Sequence, residues 1–182
     1  MAAFYPSDIP DLQTMLTSLQ NNIPPLRQLV VAISFLCGIL FLIRGVYKLK
    51  EYGELRTMMS AQTNIFKPSI YLFVGASLLY FPSTYSMSLE TFFAQPYPSD
   101  LAYNASSADG WQAIISIVTS LIKLIGLIAF VRGWILMSAL GGHSAQPGTF
   151  GKAMWHLIGG ILAINIIGTT NVIDNTLGFV TS

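Results

Sequence analysis

Two Arg-Gly pairs are the residues of this chain whose type and spacing most clearly suggest a binding chemistry. Arg44-Gly45 and Arg132-Gly133 each lie at the end of a long apolar run, 88 residues apart. An arginine stem can lie along lipid while its guanidinium reaches the phosphate headgroups, and the pattern favours this arrangement. Alternatively, both guanidinium groups share an interior surface that binds lipid phosphate or a partner's carboxylate. We therefore predict a lipid or subunit contact at both pairs, where each glycine lets another backbone approach closely.

Lys123 is the one charge deep inside an apolar run. Burying an unpaired ammonium in lipid costs several kcal/mol, so we expect Lys123 to face protein, water or the outer interface, as part of the same lipid or subunit contact. No Asp or Glu lies within any predicted span, so its partner must be a carbonyl, a polar side chain or another subunit. The missing carboxylates also argue against a proton- or cation-coupled transporter.

The sequence lacks the side-chain groupings that enzymes use. His143 and His156 are thirteen residues apart, with no cysteine or carboxylate at metal-ligand spacing. There is no nucleophile elbow, phosphate-binding loop or carboxylate pair. We predict no catalytic activity, no metal and no cofactor.

The composition indicates a membrane protein. Only 9% of the residues are charged and 53% are hydrophobic, whereas a soluble domain carries roughly 25% charged residues. The apolar residues come in runs long enough for helices in a lipid bilayer. The net charge of +1 gives no electrostatic support for nucleic-acid binding.

The apolar runs follow a pattern that occurs twice. When Gly38 is aligned with Gly126, Arg44 falls on Arg132, and after a three-residue deletion Lys67 falls on Lys152, Gly75 on Gly160, Thr84 on Thr169 and Thr91 on Thr176. We predict an all-α, polytopic membrane protein whose four transmembrane helices form two tandemly duplicated helical hairpins.

The predicted segments follow from this repeat. They are an amphipathic N-terminal segment (1–25), a first hairpin (26–82), a long loop (83–110), a second hairpin (111–168) and a short tail (169–182). The second span is the least regular, because Pro68 and Pro82 bracket only thirteen residues; it begins before Pro68 or is re-entrant. Basic residues cluster in the hairpin turns and are absent from 83–110, so the positive-inside rule places the turns in the cytoplasm and both termini and the loop outside.

Small and polar residues at helical spacing predict where the helices pack. The small-residue pairs are Ser34/Gly38, Ala129/Gly133 and Gly159/Ala163. Such pairs allow close helix contact, within the chain or between subunits. Asn165, in the fourth span, is expected to hydrogen-bond across helices for the same reason.

Two stretches carry a resemblance to a known family. Residues 44–56 (RGVYKLKEYGELR) and 150–165 (FGKAMWHLIGGILAIN) resemble the IcmC/DotE family, inner-membrane components of the Dot/Icm type IVB secretion system and of related conjugation machines. The sister components IcmD/DotP and DotV are alternatives. The resemblance implies a non-enzymatic structural subunit in the bacterial inner membrane, with periplasmic termini, packed against other secretion subunits and copies of itself. It assigns no role to any single side chain.

A different function remains open from the residues alone. A small four-helix channel or transporter, acting as a homo-oligomer, can lack carboxylates, and Lys123 could then select anions. The polar loop 83–110 suits docking to a periplasmic partner better than a minimal pore.

Overall fold

The computed structural model describes residues 12–57, 65–99, 110–142 and 146–178, and most of these residues are helical. The helices are α1 (Leu12–Thr57), α2 (Phe66–Leu79), α3 (Phe81–Phe93), α4 (Gly110–Ser138), α5 (Thr149–Ile164) and α6 (Ile166–Leu177), with a short 3-10 turn after α4. Within these regions the all-α prediction is confirmed. Two helices are long and apolar enough to cross a membrane, over Ser18–Arg56 and Ile114–Gly141, and the bent pair α5–α6 is a third candidate.

The first helix begins earlier than predicted. The first hairpin was predicted to begin at residue 26, but α1 already begins at Leu12 and continues through Pro24 and Pro25. Proline removes a hydrogen bond to the carbonyl four residues earlier. Pro24 therefore leaves the Gln20 carbonyl without its helical donor, and Pro25 leaves that of Asn21. Both of these residues are exposed, so water can bind the freed carbonyls and the helix need not end. The boundary predicted between 1–25 and 26–82 therefore falls inside a helix; residues 1–11 lie outside the described part.

The segments predicted as a long loop and a short tail both contain a helix. Helix α3 occupies the first part of the predicted loop 83–110, and α6 occupies most of the predicted tail. Their serine and threonine hydroxyls donate to carbonyls one turn back in the same helix, as Ser88 does to Thr84 (2.7 Å) and Thr176 to Val172 (2.7 Å). Helix α3 also buries Phe81 and Leu89. The polar composition that suggested a loop is therefore compatible with a helix.

Each long helix packs antiparallel against the shorter helix that follows it, and glycines lie at the crossing points. A methyl group on Gly38 would lie 2.6 Å from the backbone nitrogen of Leu79, and one on Gly126 would lie 2.7 Å from that of Ile164. The other matched contacts are Gly75 with Leu42 and Gly160 with Phe130, and Gly45 with Leu72 and Gly133 with Leu157. Positions aligned by the sequence repeat thus make the same contacts in α1–α2 and in α4–α5.

The core lies where α4 meets the first helix pair. Phe130 of α4 is buried against Phe81, with ring centroids 5.9 Å apart, and Leu78 and Leu89 lie in the same cluster. In contrast, the outward face of α1 leaves large apolar side chains exposed, such as Leu36 at 60%. An apolar exterior around a small core is what a lipid solvent requires.

The glycine crossing predicts a difference between two adjacent positions. A methyl group on Gly160 would lie 2.7 Å from the Phe130 nitrogen, whereas one on Gly159 meets nothing within 4 Å. Gly160→Ala should lower the free energy of unfolding by about 1–3 kcal/mol, because the backbones must move apart. Tryptophan fluorescence during thermal unfolding of the purified protein in detergent measures the effect.

Gly159→Ala is the matched control. It introduces the same methyl group in the same helix turn and should be neutral or slightly stabilising, since alanine is the better helix former. Equal effects of the two substitutions would contradict the packing described here.

Candidate functional site

Both helix pairs end in a break that is built in the same way. Helix α2 ends at Leu79 and α5 ends at Ile164, and in each case one residue, Tyr80 or Asn165, separates it from a further helix. Thr84 Oγ1 lies 2.8 Å from the Ser77 carbonyl and 3.2 Å from that of Tyr80. Thr169 Oγ1 lies 2.9 Å from two equivalent carbonyls, those of Leu162 and Asn165. A threonine hydroxyl thus spans each break and reaches a carbonyl of the preceding helix, that of Ser77 or Leu162. The carbonyls of Tyr80 and Asn165 also accept from the backbone N–H of the same threonines.

The second break carries an additional polar side chain. Asn165 is fully buried, and its Oδ1 accepts hydrogen bonds from the backbone N–H of Gly168 (3.2 Å) and of Ser99 (2.8 Å). It therefore caps α6 and also binds the segment that follows α3. We predicted that Asn165 bonds across helices; its bonds go instead to its own helix start and to residues 94–99. Its equivalent at the first break, Tyr80, makes no side-chain cap.

Ser99 links Asn165 to Lys123. The Lys123 Nζ donates to the Ser99 carbonyl oxygen at 2.8 Å, while the Ser99 N–H donates to Asn165. A carbonyl was among the partners expected for Lys123. Because α6 leaves α5 at 90°, Asn165 marks the level at which the chain turns away from the helix bundle. Lys123 thus lies close to that level, where its charge has a polar partner.

A polar cavity of about 600 Å³ adjoins Lys123. The described residues that line it come from α1, α3, α4 and the segment after α3: Gln20, Ile23, Pro24, Arg27, Gln28, Tyr85, Tyr97, Pro98, Ser120, Lys123 and Leu124. None of these described residues is acidic, and two of them, Arg27 and Lys123, are basic. We call this space the Arg27–Lys123 cavity.

Arg27 was not among the site residues predicted from the sequence. Its signal was available, since it is the first basic residue of the chain and lies two residues before the uncharged run 29–43. An arginine at that position is typical of an interfacial anchor. Its place beside Lys123 depends on the packing of α1 against α4, which the sequence pattern does not specify.

In each Arg-Gly pair the glycine lies inside the fold and the arginine lies outside. Gly45 and Gly133 are buried at the helix crossings, whereas Arg44 and Arg132 are exposed. The interior surface shared by the two arginines is therefore not formed within this chain, and the lipid-facing arrangement agrees with their exposure. Arg44 borders a shallow pocket of about 390 Å³ that also contains the Lys48–Glu51 ion pair (2.7 Å).

The residues predicted to mediate helix packing have different surroundings. Ser34 is buried and its hydroxyl donates to the Val30 carbonyl at 2.7 Å, and Ala163 faces Gly126 across the α4–α5 crossing. Ala129 is half-buried. Gly159 is exposed and faces open space, so it makes no helix contact within the chain, where Gly160 makes that contact instead; a contact of Gly159 between subunits stays a prediction.

No grouping of metal ligands occurs among the described residues, where no three His, Cys, Asp or Glu side chains come together. His143 lies outside the described part. No family model, curated protein or solved structure matches this chain.

The link between Asn165 and Ser99 can be tested by hydrogen exchange. Asn165→Leu removes the acceptor of the Ser99 N–H, and a buried donor left without its acceptor costs about 1–3 kcal/mol. We expect the peptide covering residues 94–99 to exchange faster, measured by mass spectrometry on the purified protein in detergent.

Asn171→Leu is the control for this experiment. Asn171 is exposed on α6, about 9 Å of helix rise from the same break, and should leave exchange at 94–99 unchanged. An Asn165→Leu protein with unaltered exchange in this peptide would show that Ser99 is held by other contacts.

Proposed function

We propose that this protein is a non-enzymatic structural subunit of a membrane assembly, the role that its resemblance to the IcmC/DotE family implies. The assembly would be the inner-membrane base of a type IVB secretion apparatus, in which the chain packs against other membrane subunits and copies of itself. The observation that supports the proposal is that the two residues of each Arg-Gly pair lie on different faces of the helix. Its glycine is consumed by packing inside the chain, while its arginine and the surrounding apolar side chains face outwards, where lipid or another subunit can bind them.

The proposal includes four membrane spans in two hairpins. Helices α2 and α5, of 14 and 16 residues, are about 21 and 24 Å long, which is shorter than the roughly 30 Å of hydrocarbon. A short helix can still cross where the bilayer thins around it, at a modest cost. Glycine packing against a long neighbour supports both short helices, and the breaks at Tyr80 and Asn165 would then lie at the outer surface, with α3 and α6 beyond them.

The orientation of the hairpins predicts a labelling pattern. In a Cys37→Ala background, a cysteine replacing Gln95 should react with a membrane-impermeant maleimide added to intact cells, because residues 94–99 are predicted to lie outside. A cysteine replacing Lys50, in the basic turn, should react only after the cells are permeabilised. Both positions are exposed, so access by the reagent depends on the side of the membrane. The reverse pattern would contradict the proposed topology.

The assembly role predicts a loss of partners when the outward arginines are neutralised. Arg44→Gln combined with Arg132→Gln should reduce, severalfold, the membrane subunits that co-purify with the tagged protein, since charge-assisted contacts would be lost. The unfolding temperature should remain that of the wild type because both side chains are exposed. Affinity isolation from native membranes, with quantification of co-eluting proteins, measures the effect.

Arg56→Gln is the matched control, because Arg56 is also exposed on α1 but lies outside the Arg-Gly pairs. Unchanged recovery of partners in the double variant would contradict the proposal. Solute flux through the purified protein in liposomes, abolished by Lys123→Met, would instead favour the homo-oligomeric channel.

A further inference from the structure

Helix α1 has an apolar face that stays exposed along most of its length. The apolar side chains of this face recur at alternating spacings of four and three residues, and each of them is exposed: Met15, Leu19, Leu26, Leu29, Ile33, Leu36, Leu40, Ile43 and Tyr47. Asn22 occupies the remaining position of the series and is exposed as well. Two positions in every seven residues form the contact line of a coiled coil. We call these ten residues the α1 seam.

The α1 seam lies on the side of the helix that faces away from the chain's own core. The inward side carries Gly38 and Gly45, which contact the backbone or side chains of α2. Successive residues of a helix are turned by about 100°, so Leu36 and Leu40 each point about 160° away from Gly38. Another helix can therefore reach the seam without displacing α2.

Lipid accounts for only part of the exposed seam. Helix α1 has 46 residues and is about 69 Å long, roughly twice the 30 Å of hydrocarbon in a bilayer. Met15 and Leu19 precede Leu29, where the uncharged run 29–43 begins, by about 15–21 Å of helix rise. They lie among glutamine, asparagine, serine and threonine residues. Apolar side chains that keep the same spacing beyond the lipid indicate a protein partner.

The seam fits the same helix of a second copy. Copies of one chain insert into a membrane in one direction, so two α1 helices related by a twofold axis are parallel and each seam residue meets its counterpart. The nine apolar seam residues are 43–69% exposed. Covering them would remove on the order of 800 Å² per copy from lipid and water, the area that a stable interface buries on each partner. Asn22 would meet its own counterpart, and an amide in a seam favours pairing in register.

An apolar groove continues the seam on one side. It has a volume of about 640 Å³, runs between α1 and the junction of α2 with α3, and is lined in part by Ala32, Phe35 and Leu36. Arg27 and Gln28 line both this groove and the Arg27–Lys123 cavity, so the two spaces adjoin. Because Leu36 belongs to both the seam and the groove, a helix on the seam also covers one wall of the groove.

We propose that two copies of this protein associate through the α1 seam as a parallel, two-stranded coiled coil. Pro24 and Pro25 do not interrupt it, because neither is a seam residue and α1 continues through both. The inference rests on the part of the proposed function in which the chain packs against copies of itself in a membrane. It needs no secretion partner.

Disulfide cross-linking in native membranes tests the seam directly. In a Cys37→Ala background, Leu36→Cys and Ile43→Cys should each form a linked dimer under mild oxidation, because identical seam residues face each other within disulfide range. Phe35→Cys is the matched control, since Phe35 is adjacent and exposed but points about 100° away from Leu36. Non-reducing gels should show at least fivefold more dimer for the seam positions. Equal cross-linking at positions 35 and 36, or none at the seam, would overturn the proposal.

The strength of association is tested on the purified full-length protein. Leu36→Ala combined with Leu40→Ala should raise the dissociation constant of the dimer at least tenfold, measured by native mass spectrometry in detergent. The unfolding temperature should stay that of the wild type, because both side chains are exposed. Phe35→Ala combined with Leu49→Ala removes exposed side chains outside the seam and should leave the dimer intact. A dimer that weakens equally in both double variants, or a wild type that is only monomeric, would contradict the seam.

These results are separate from the test of the assembly role. A wild type without seam dimers whose other membrane subunits still co-purify would overturn this inference and leave the assembly role standing. Seam dimers in a protein that recovers no other subunit would support the inference and contradict the assembly role.

Discussion

The structure depends on the close approach of two helix backbones in each pair. Lipid removes the hydrophobic drive that brings helices together in water, so van der Waals contact between small residues must supply it. At Gly38 and Gly126 the facing backbone leaves no room for even a methyl group. This contact fixes the register of each pair, and the register determines which residues turn outwards. Arg44 and Arg132 are exposed because the glycine after each one occupies a crossing.

The helix breaks determine which polar groups of the fold need partners. An interrupted helix leaves carbonyl groups that must find donors when they are shielded from water. Threonine hydroxyls supply these donors at both breaks. At the second break Asn165 adds an acceptor, which binds Ser99 and so brings residues 94–99 to the bundle. The carbonyl of Ser99 is thereby positioned to accept a hydrogen bond from Lys123.

The sequence could predict the parts of this fold that depend on apolar runs and repeated spacing. The apolar runs predicted the long helices α1 and α4, and the repeated spacing pointed to the glycines at their crossings. Helices α3 and α6 could not be predicted in this way, because their hydroxyl groups bond to their own backbones and leave a composition typical of loops. A spacing of four residues also could not choose between Gly159 and Gly160, since only contact with α4 decides which of them faces inwards. The cavity could not be predicted either, because tertiary packing brings Arg27 and Lys123 together.

The two halves of the chain agree where they build the fold and differ where they build the candidate site. The crossing glycines and the threonines at the breaks occur in both halves. Lys123, however, aligns with Phe35, and Asn165 aligns with Tyr80. Phe35 lines the apolar groove while Lys123 lines the polar cavity, so equivalent positions supply opposite chemistry to adjoining spaces. A symmetric pair of hairpins would offer two identical apolar grooves. The cation in the second half therefore gives a polar lining at a position that is apolar in the first half.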